Sequence, residues 1–90
     1  MAPGNPNEPE IRDWCVKHLA RTLDLPEQTI DPEAKFTRLG LDSANSVYLL
    51  VELEEWLGTE LQAELIFEYP SITELARYLA QRAAGEHGTS

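Results

Sequence analysis

The sequence predicts an all-α protein, a small three-to-four-helix bundle with a long loop between its first and second main helices. Three observations carry that prediction. Apolar residues recur at three- and four-residue spacing in three separate stretches, each opened by a plausible cap. No stretch alternates apolar and polar residues as a half-buried strand would, and no repeat or low-complexity block interrupts the chain. Finally, 90 residues with 42% apolar content suffice for one modest core, leaving no room for a large catalytic cavity.

Residues 1–7 hold two prolines, a glycine and two asparagines, a composition expected to form a disordered tail, so the folded domain is set at 8–84. Asn7 and Glu10 have capping-box spacing, Pro9 falls in the first turn, and Ile11, Trp14, Cys15, His18, Leu19, Thr22 and Leu23 share one helical face. This first helix is expected to end near Asp24. Leu25 to Gly40 contains Pro26 and Pro32 without a sustained period, and reads as a long loop anchored by Ile30, Phe36 and Leu39.

The second main helix, Ser43 to Leu57, is the one the chain is organised around. Gly40 can turn, Asp42 is a good N-cap, and Ser43 opens the first turn, where its hydroxyl faces the positive end of the helix dipole. An anion attached to that oxygen would lie near unpaired backbone N–H groups. At 100° per residue, Leu49, Leu50, Leu53, Trp56 and Leu57 form the core face, while Ala44, Val47, Tyr48 and Val51 form a second apolar stripe roughly opposite. So small a chain cannot bury both sides, which marks that stripe as a docking surface beside Ser43. Gly58 ends the helix, Ala63 to Glu68 can make one short turn, and Ser71 with Glu74 caps a last helix carrying Ile72, Leu75, Ala76, Leu79 and Ala83. Residues 85–90 are expected to be a second disordered tail.

The net charge of −9 arises from 16 acids against 7 bases, which disfavours nucleic acid and anionic membranes and favours basic protein surfaces. The imbalance is local. Between Arg38 and Arg77 there is no Lys or Arg, while Asp42, Glu52, Glu54, Glu55, Glu60, Glu64, Glu68 and Glu74 all fall there. Glu54 and Glu55 are expected to steer basic partners rather than to act as a catalytic pair, because such a pair needs a cleft. No run is long enough to span a membrane and no signal-peptide pattern opens the chain, so a cytoplasmic monomer is expected. The lone Cys15 makes no internal disulfide and, lying on an apolar face, reads as a buried, inert thiol. His18 reads as a half-buried packing residue and Trp14 and Trp56 as core anchors; no His or Cys spacing suggests a metal.

The LGLDS segment at Leu39 to Ser43, followed by a hydrophobic helix and later by FEYPSI at Phe67 to Ile72, resembles the modification site of acyl carrier proteins and related phosphopantetheine-binding domains. The likeness runs from about Trp14 to Leu79, and the FEYPSI form is closest to the polyketide and nonribosomal branches. It implies that Ser43 carries a covalent 4′-phosphopantetheine arm derived from coenzyme A, that Asp42 belongs to the attachment motif, and that the chain is a carrier without catalytic activity. The implied partners are a phosphopantetheinyl transferase, an acyl-loading enzyme (an acyltransferase or, from a fainter likeness at EEWLG, an acyl-AMP ligase), and a ketosynthase or other synthase domain. Where the family usually has Leu or Met after the serine, and often acids at the second and fifth positions beyond it, this chain has Ala44, Asn45 and Tyr48, which points to a specialised partner. A peptidyl carrier of a nonribosomal synthetase and an unmodified helical interaction module gripping a partner with its exposed stripe are the alternatives; a small enzyme using Cys15 ranks below both.

Overall fold

The computed structural model describes residues 6–89, with side chains described for residues 6–82. The order of elements is α1 (Glu8–Leu23), a 3-10 turn (Glu27–Thr29), α2 (Phe36–Leu39), α3 (Ser43–Leu57), α4 (Leu65–Glu68) and α5 (Ile72–Thr89). No strand occurs among the described residues. The only bridge there is a single antiparallel pairing of Lys35 with Ser71.

Helix α1 begins with the expected reciprocal cap. Glu10 N–H donates to Asn7 Oδ1 and Asn7 N–H donates to Glu10 Oε1, both at 2.9 Å. It ends where Asp24 turns left-handed at φ 57°. Asn7 and the buried Pro6 are therefore part of the folded unit, and residues 1–5 of the expected tail lie outside the described residues. Helix α5 extends past the expected end at 84 to Thr89. Each further residue adds a backbone hydrogen bond to an existing helix, and Ala83, Ala84 and Glu86 are compatible formers, so the two late glycines do not stop it. Ser90 lies outside the described residues.

The core gathers Ile11, Cys15 and Leu19 of α1, Leu49, Leu50 and Leu53 of α3, and Ile72, Leu75, Ala76 and Leu79 of α5. Helix α1 packs against both α3 and α5. The long connection is stitched down rather than loose: Phe36 N–H donates to Pro70 O at 2.8 Å and Thr73 N–H to Pro32 O at 2.9 Å, while Phe36 and Ile30 plug the core from the same segment. Two short helical turns lie inside it that the sequence did not announce. One follows Pro26, where the Thr29 hydroxyl closes back on Pro26 O at 2.8 Å. The other, α2, is one turn held by burial of Phe36 and closed by Gly40 at φ 96°.

Candidate functional site

The segment from Phe36 to Ser46 presents Ser43 by a chain of local constraints. Gly40 occupies the left-handed region, which an L side chain adopts only with strain, and thereby ends α2. Leu41 N–H then donates to Phe36 O at 3.1 Å and its side chain is buried, fixing the direction in which the chain leaves the turn. Asp42 is extended, at φ −93° and ψ −178°; its Oδ1 accepts from Asn45 N–H at 2.8 Å and its carbonyl from Ser46 N–H at 3.0 Å. Ser43 is thus the first residue of α3, exposed, with no hydrogen bond to its hydroxyl among the described residues. The N–H groups of Ser43 and Ala44 precede the first intrahelical bond and remain available to an anion.

Beside Ser43 opens a cavity of about 480 Å³, walled mainly by apolar groups: Phe36, Leu41, Val47, Ala63, Ile66, Phe67 and Pro70, with Lys35 and Asp42 at polar positions. Phe67 is the most exposed large apolar side chain on the described surface, at 81%. Sequence reasoning used it only as part of a motif. One signal was available: with Leu65 and Ile66 facing the core of a single four-residue turn, Phe67 has no inward direction left.

The stripe expected on α3 is exposed. Val47, Tyr48 and Val51 are 49%, 50% and 42% accessible, and Ala44 is open. The opposite face is buried at Leu49, Leu50 and Leu53, as expected, with Trp56 and Leu57 half-buried at its edge. The two acids part company. Glu55 is exposed, whereas Glu54 is half-buried and its Oε2 accepts from Leu61 N–H at 2.8 Å, pinning the turn that follows Gly58. Glu54 therefore has a structural task that helical spacing alone could not reveal.

On the far side of α3, Trp14 stacks on Trp56 with ring centres 5.3 Å apart and on His18 at 5.2 Å, and Tyr48 leans on His18 at 5.3 Å. His18 is buried, not half-buried, because the rings of Trp14 and Tyr48 both pack against it. Burial, followed by the Arg21 guanidinium, holds its pKa below the usual histidine value; the Glu52 carboxylate acts in the opposite sense. The Cys15 thiol, fully enclosed, is pushed up to about 12 by loss of solvent, so a nucleophilic thiolate does not form there near neutral pH. Among the described residues no group of His, Cys, Asp and Glu is arranged to hold a metal ion, and no helix is long and apolar enough to cross a membrane.

The family described as "Phosphopantetheine attachment site" matches residues 13–79. A phenolphthiocerol/phthiocerol polyketide synthase chain of Mycobacterium tuberculosis is 38% identical over 75 residues, covering 83% of this chain and 4% of that protein. The chain thus spans only a small part of this large relative. The acyl carrier protein TtuC of Teredinibacter turnerae is 30% identical over 73 residues, covering 81% of this chain and 84% of its own length. Among solved structures, an acyl carrier protein from Anabaena sp. PCC 7120 with a variant phosphopantetheinylation-site sequence superposes with a TM-score of 0.83 at 36% identity, covering 92% of each chain. A free-standing peptidyl carrier protein from Acinetobacter baumannii gives 0.80 at 32% identity, covering 84% of this chain and 95% of that one. Proteins of this family bear covalent 4′-phosphopantetheine and carry rather than catalyse. With a helical bundle, an exposed serine opening its central helix and a family match across most of its length, this chain belongs to the phosphopantetheine attachment site family, as a carrier related to those of polyketide synthases.

Proposed function

We propose that Ser43 is the attachment point of the 4′-phosphopantetheine arm and that the chain tethers acyl intermediates in polyketide or related secondary-metabolite biosynthesis. The observation that carries this reading is the setting of the Ser43 hydroxyl: exposed, without a hydrogen-bond partner among the described residues, at the first residue of α3 and at the mouth of an apolar cavity. A phosphopantetheinyl transferase would join the Ser43 oxygen to phosphorus as the pyrophosphate link of coenzyme A breaks, with adenosine 3′,5′-bisphosphate as the leaving group and the hydroxyl proton passing to a base of the transferase. The arm, when attached, supplies a terminal thiol that holds the acyl group as a thioester.

This chain's own residues supply position and recognition. Asp42 occupies the Asn45 N–H and leaves the outermost N–H groups for the phosphodiester, the dipole of α3 favours the added negative charge, and Lys35 stands at the rim of the cavity. Val47, Tyr48 and Val51 offer apolar contact to a partner, and Glu55 and its acidic neighbours speed encounter with basic faces. Such contacts are small, which suits a carrier that must leave each enzyme quickly. The partners that fit are the transferase, an acyltransferase or acyl-AMP ligase that loads the arm, and ketosynthase or other synthase domains, all in the cytoplasm.

Intact mass after co-expression with a broad-specificity phosphopantetheinyl transferase tests the reading directly. A gain equal to the arm, absent from Ser43→Ala, is the expected result. An unchanged mass would favour the second reading, an unmodified module that uses the same exposed stripe. The mass of the loaded species from the native host then separates acyl from peptidyl cargo.

A further inference from the structure

The rings of Trp56, Trp14, His18 and Tyr48 form a ladder across the seam between α1 and α3, with Trp56 and Trp14 at 15°, Trp14 and His18 at 12°, and His18 and Tyr48 at 39°. His18 is the rung that can take up a proton, at a pH below the usual histidine range. It is 4% exposed, and its Nε2 is buried without a hydrogen-bond partner among the described residues. Next to it the seam widens into a cleft of about 360 Å³, walled by Arg21 and Thr22 of α1 and by Asn45, Tyr48 and Glu52 of α3. The charged and titratable groups that face the imidazole are Arg21 on its own helix and Glu52 and Tyr48 on α3.

We propose that His18 and Tyr48 form a proton-operated latch on the α1–α3 seam. With His18 neutral, the Tyr48 ring lies against it and the seam is closed. A proton on Nε2 places a charged donor where no acceptor waits, beside the Arg21 guanidinium, an arrangement that a buried site does not sustain. The least costly relief is at Tyr48. That ring is already half exposed, so turning it outward gives up packing on one side only, whereas moving Trp14 would break its stacking on Trp56 as well. The imidazolium then gains the cleft and the Glu52 carboxylate within it. Because Tyr48 belongs to the exposed stripe with Val47 and Val51, the latch changes the shape of the docking face. This last consequence rests on the carrier reading; the latch itself does not.

The test uses the unmodified protein, so it can fail with the carrier reading intact and stand if Ser43 is never modified. Proton NMR from pH 8 to pH 4.5 follows the His18 ring signals and the cross-peaks between Tyr48 and His18. The expected result is a His18 midpoint below the usual 6.5 and loss of those cross-peaks through the same midpoint, while the backbone amide dispersion of a folded chain persists. His18→Phe keeps an aromatic rung that cannot be protonated, and should retain its contact with Tyr48 across the whole range. Should that variant fold poorly, Glu52→Gln serves instead, moving the midpoint to lower pH by removing the acceptor of the charged ring. The latch is overturned if the cross-peaks survive protonation of His18, if their loss coincides with collapse of amide dispersion, if the transition persists in His18→Phe, or if Glu52→Gln leaves the midpoint in place.

Discussion

The Ser43 hydroxyl is exposed and takes no part in the cap, because its neighbour Asp42 does the capping. The Asn45 N–H is taken by Asp42 at 2.8 Å, so the serine contributes little to holding α3 together. Ser43→Ala is accordingly expected to lower the unfolding free energy by less than about 1 kcal/mol, the usual size of a whole cap, while abolishing the mass gain from the transferase. Chemical denaturation of the two proteins side by side checks this; a loss well above that limit would make Ser43 a structural residue. Cys15 offers a second check at the same scale. Its folded-state pKa is raised from 9.0 to about 12 by burial, so the unfolded chain releases the thiol proton first as pH rises. The stabilisation linked to this group is complete below pH 9.0 and declines between 9.0 and about 12 as the unfolded thiolate becomes the preferred species. In native protein at pH 8, alkylation of Cys15 should proceed only as fast as the chain opens, and denaturant should accelerate it sharply. Rapid labelling without denaturant would show that the α1 face is not closed.

At the scale of elements, the three long helices were legible because apolar spacing and caps agree with each other: Asn7 with Glu10, Asp42, Gly58, and Ser71 with Glu74 all mark ends that the backbone uses. The turn α2 was not, because four residues carry no period, and its stability comes from burying Phe36 and from Gly40 rather than from helix propensity. The neighbouring pair Leu39 and Gly40 was a usable sign of a helix end; what hid it was the assumption of one uninterrupted loop. Phe36 joins that loop to the α4–α5 junction both by its N–H and by its ring, which is 2% exposed. Phe36→Ala should therefore cost about 3–5 kcal/mol, a large share of the stability of a domain this small. Thermal melting measures it, and a cost under about 1 kcal/mol would place the ring outside the core. Since Phe36 also walls the cavity at Ser43, the variant should also slow modification more than its folded fraction explains.

For the whole molecule, two chemically different features stand out: the exposed apolar stripe on α3, and a stretch of sequence between positions 38 and 77 that holds eight acids and no Lys or Arg. The stripe was legible from helical spacing, whereas the division of labour between Glu54 and Glu55 was not, because the Leu61 N–H that engages Glu54 arrives from beyond the helix. The two features should act on different steps of a partner encounter. Val51→Asp removes apolar contact and is expected to raise the dissociation rate with little dependence on salt, leaving the melting temperature almost unchanged because the side chain is 42% exposed. Glu55→Lys reverses an exposed charge and should slow association, most strongly at low ionic strength and progressively less as the screening length shortens toward about 8 Å at physiological salt. Glu54→Lys should differ from both. It leaves the Leu61 N–H without its acceptor, so about 1–3 kcal/mol of stability should be lost along with any effect on association. Stopped-flow measurement of transferase binding to the three variants across a salt series separates these routes. If Glu55→Lys and Glu54→Lys proved equally stable and equally slow to associate, the Leu61 contact would be incidental. If Val51→Asp unfolded the chain, the stripe would be core and the docking face would have to lie elsewhere.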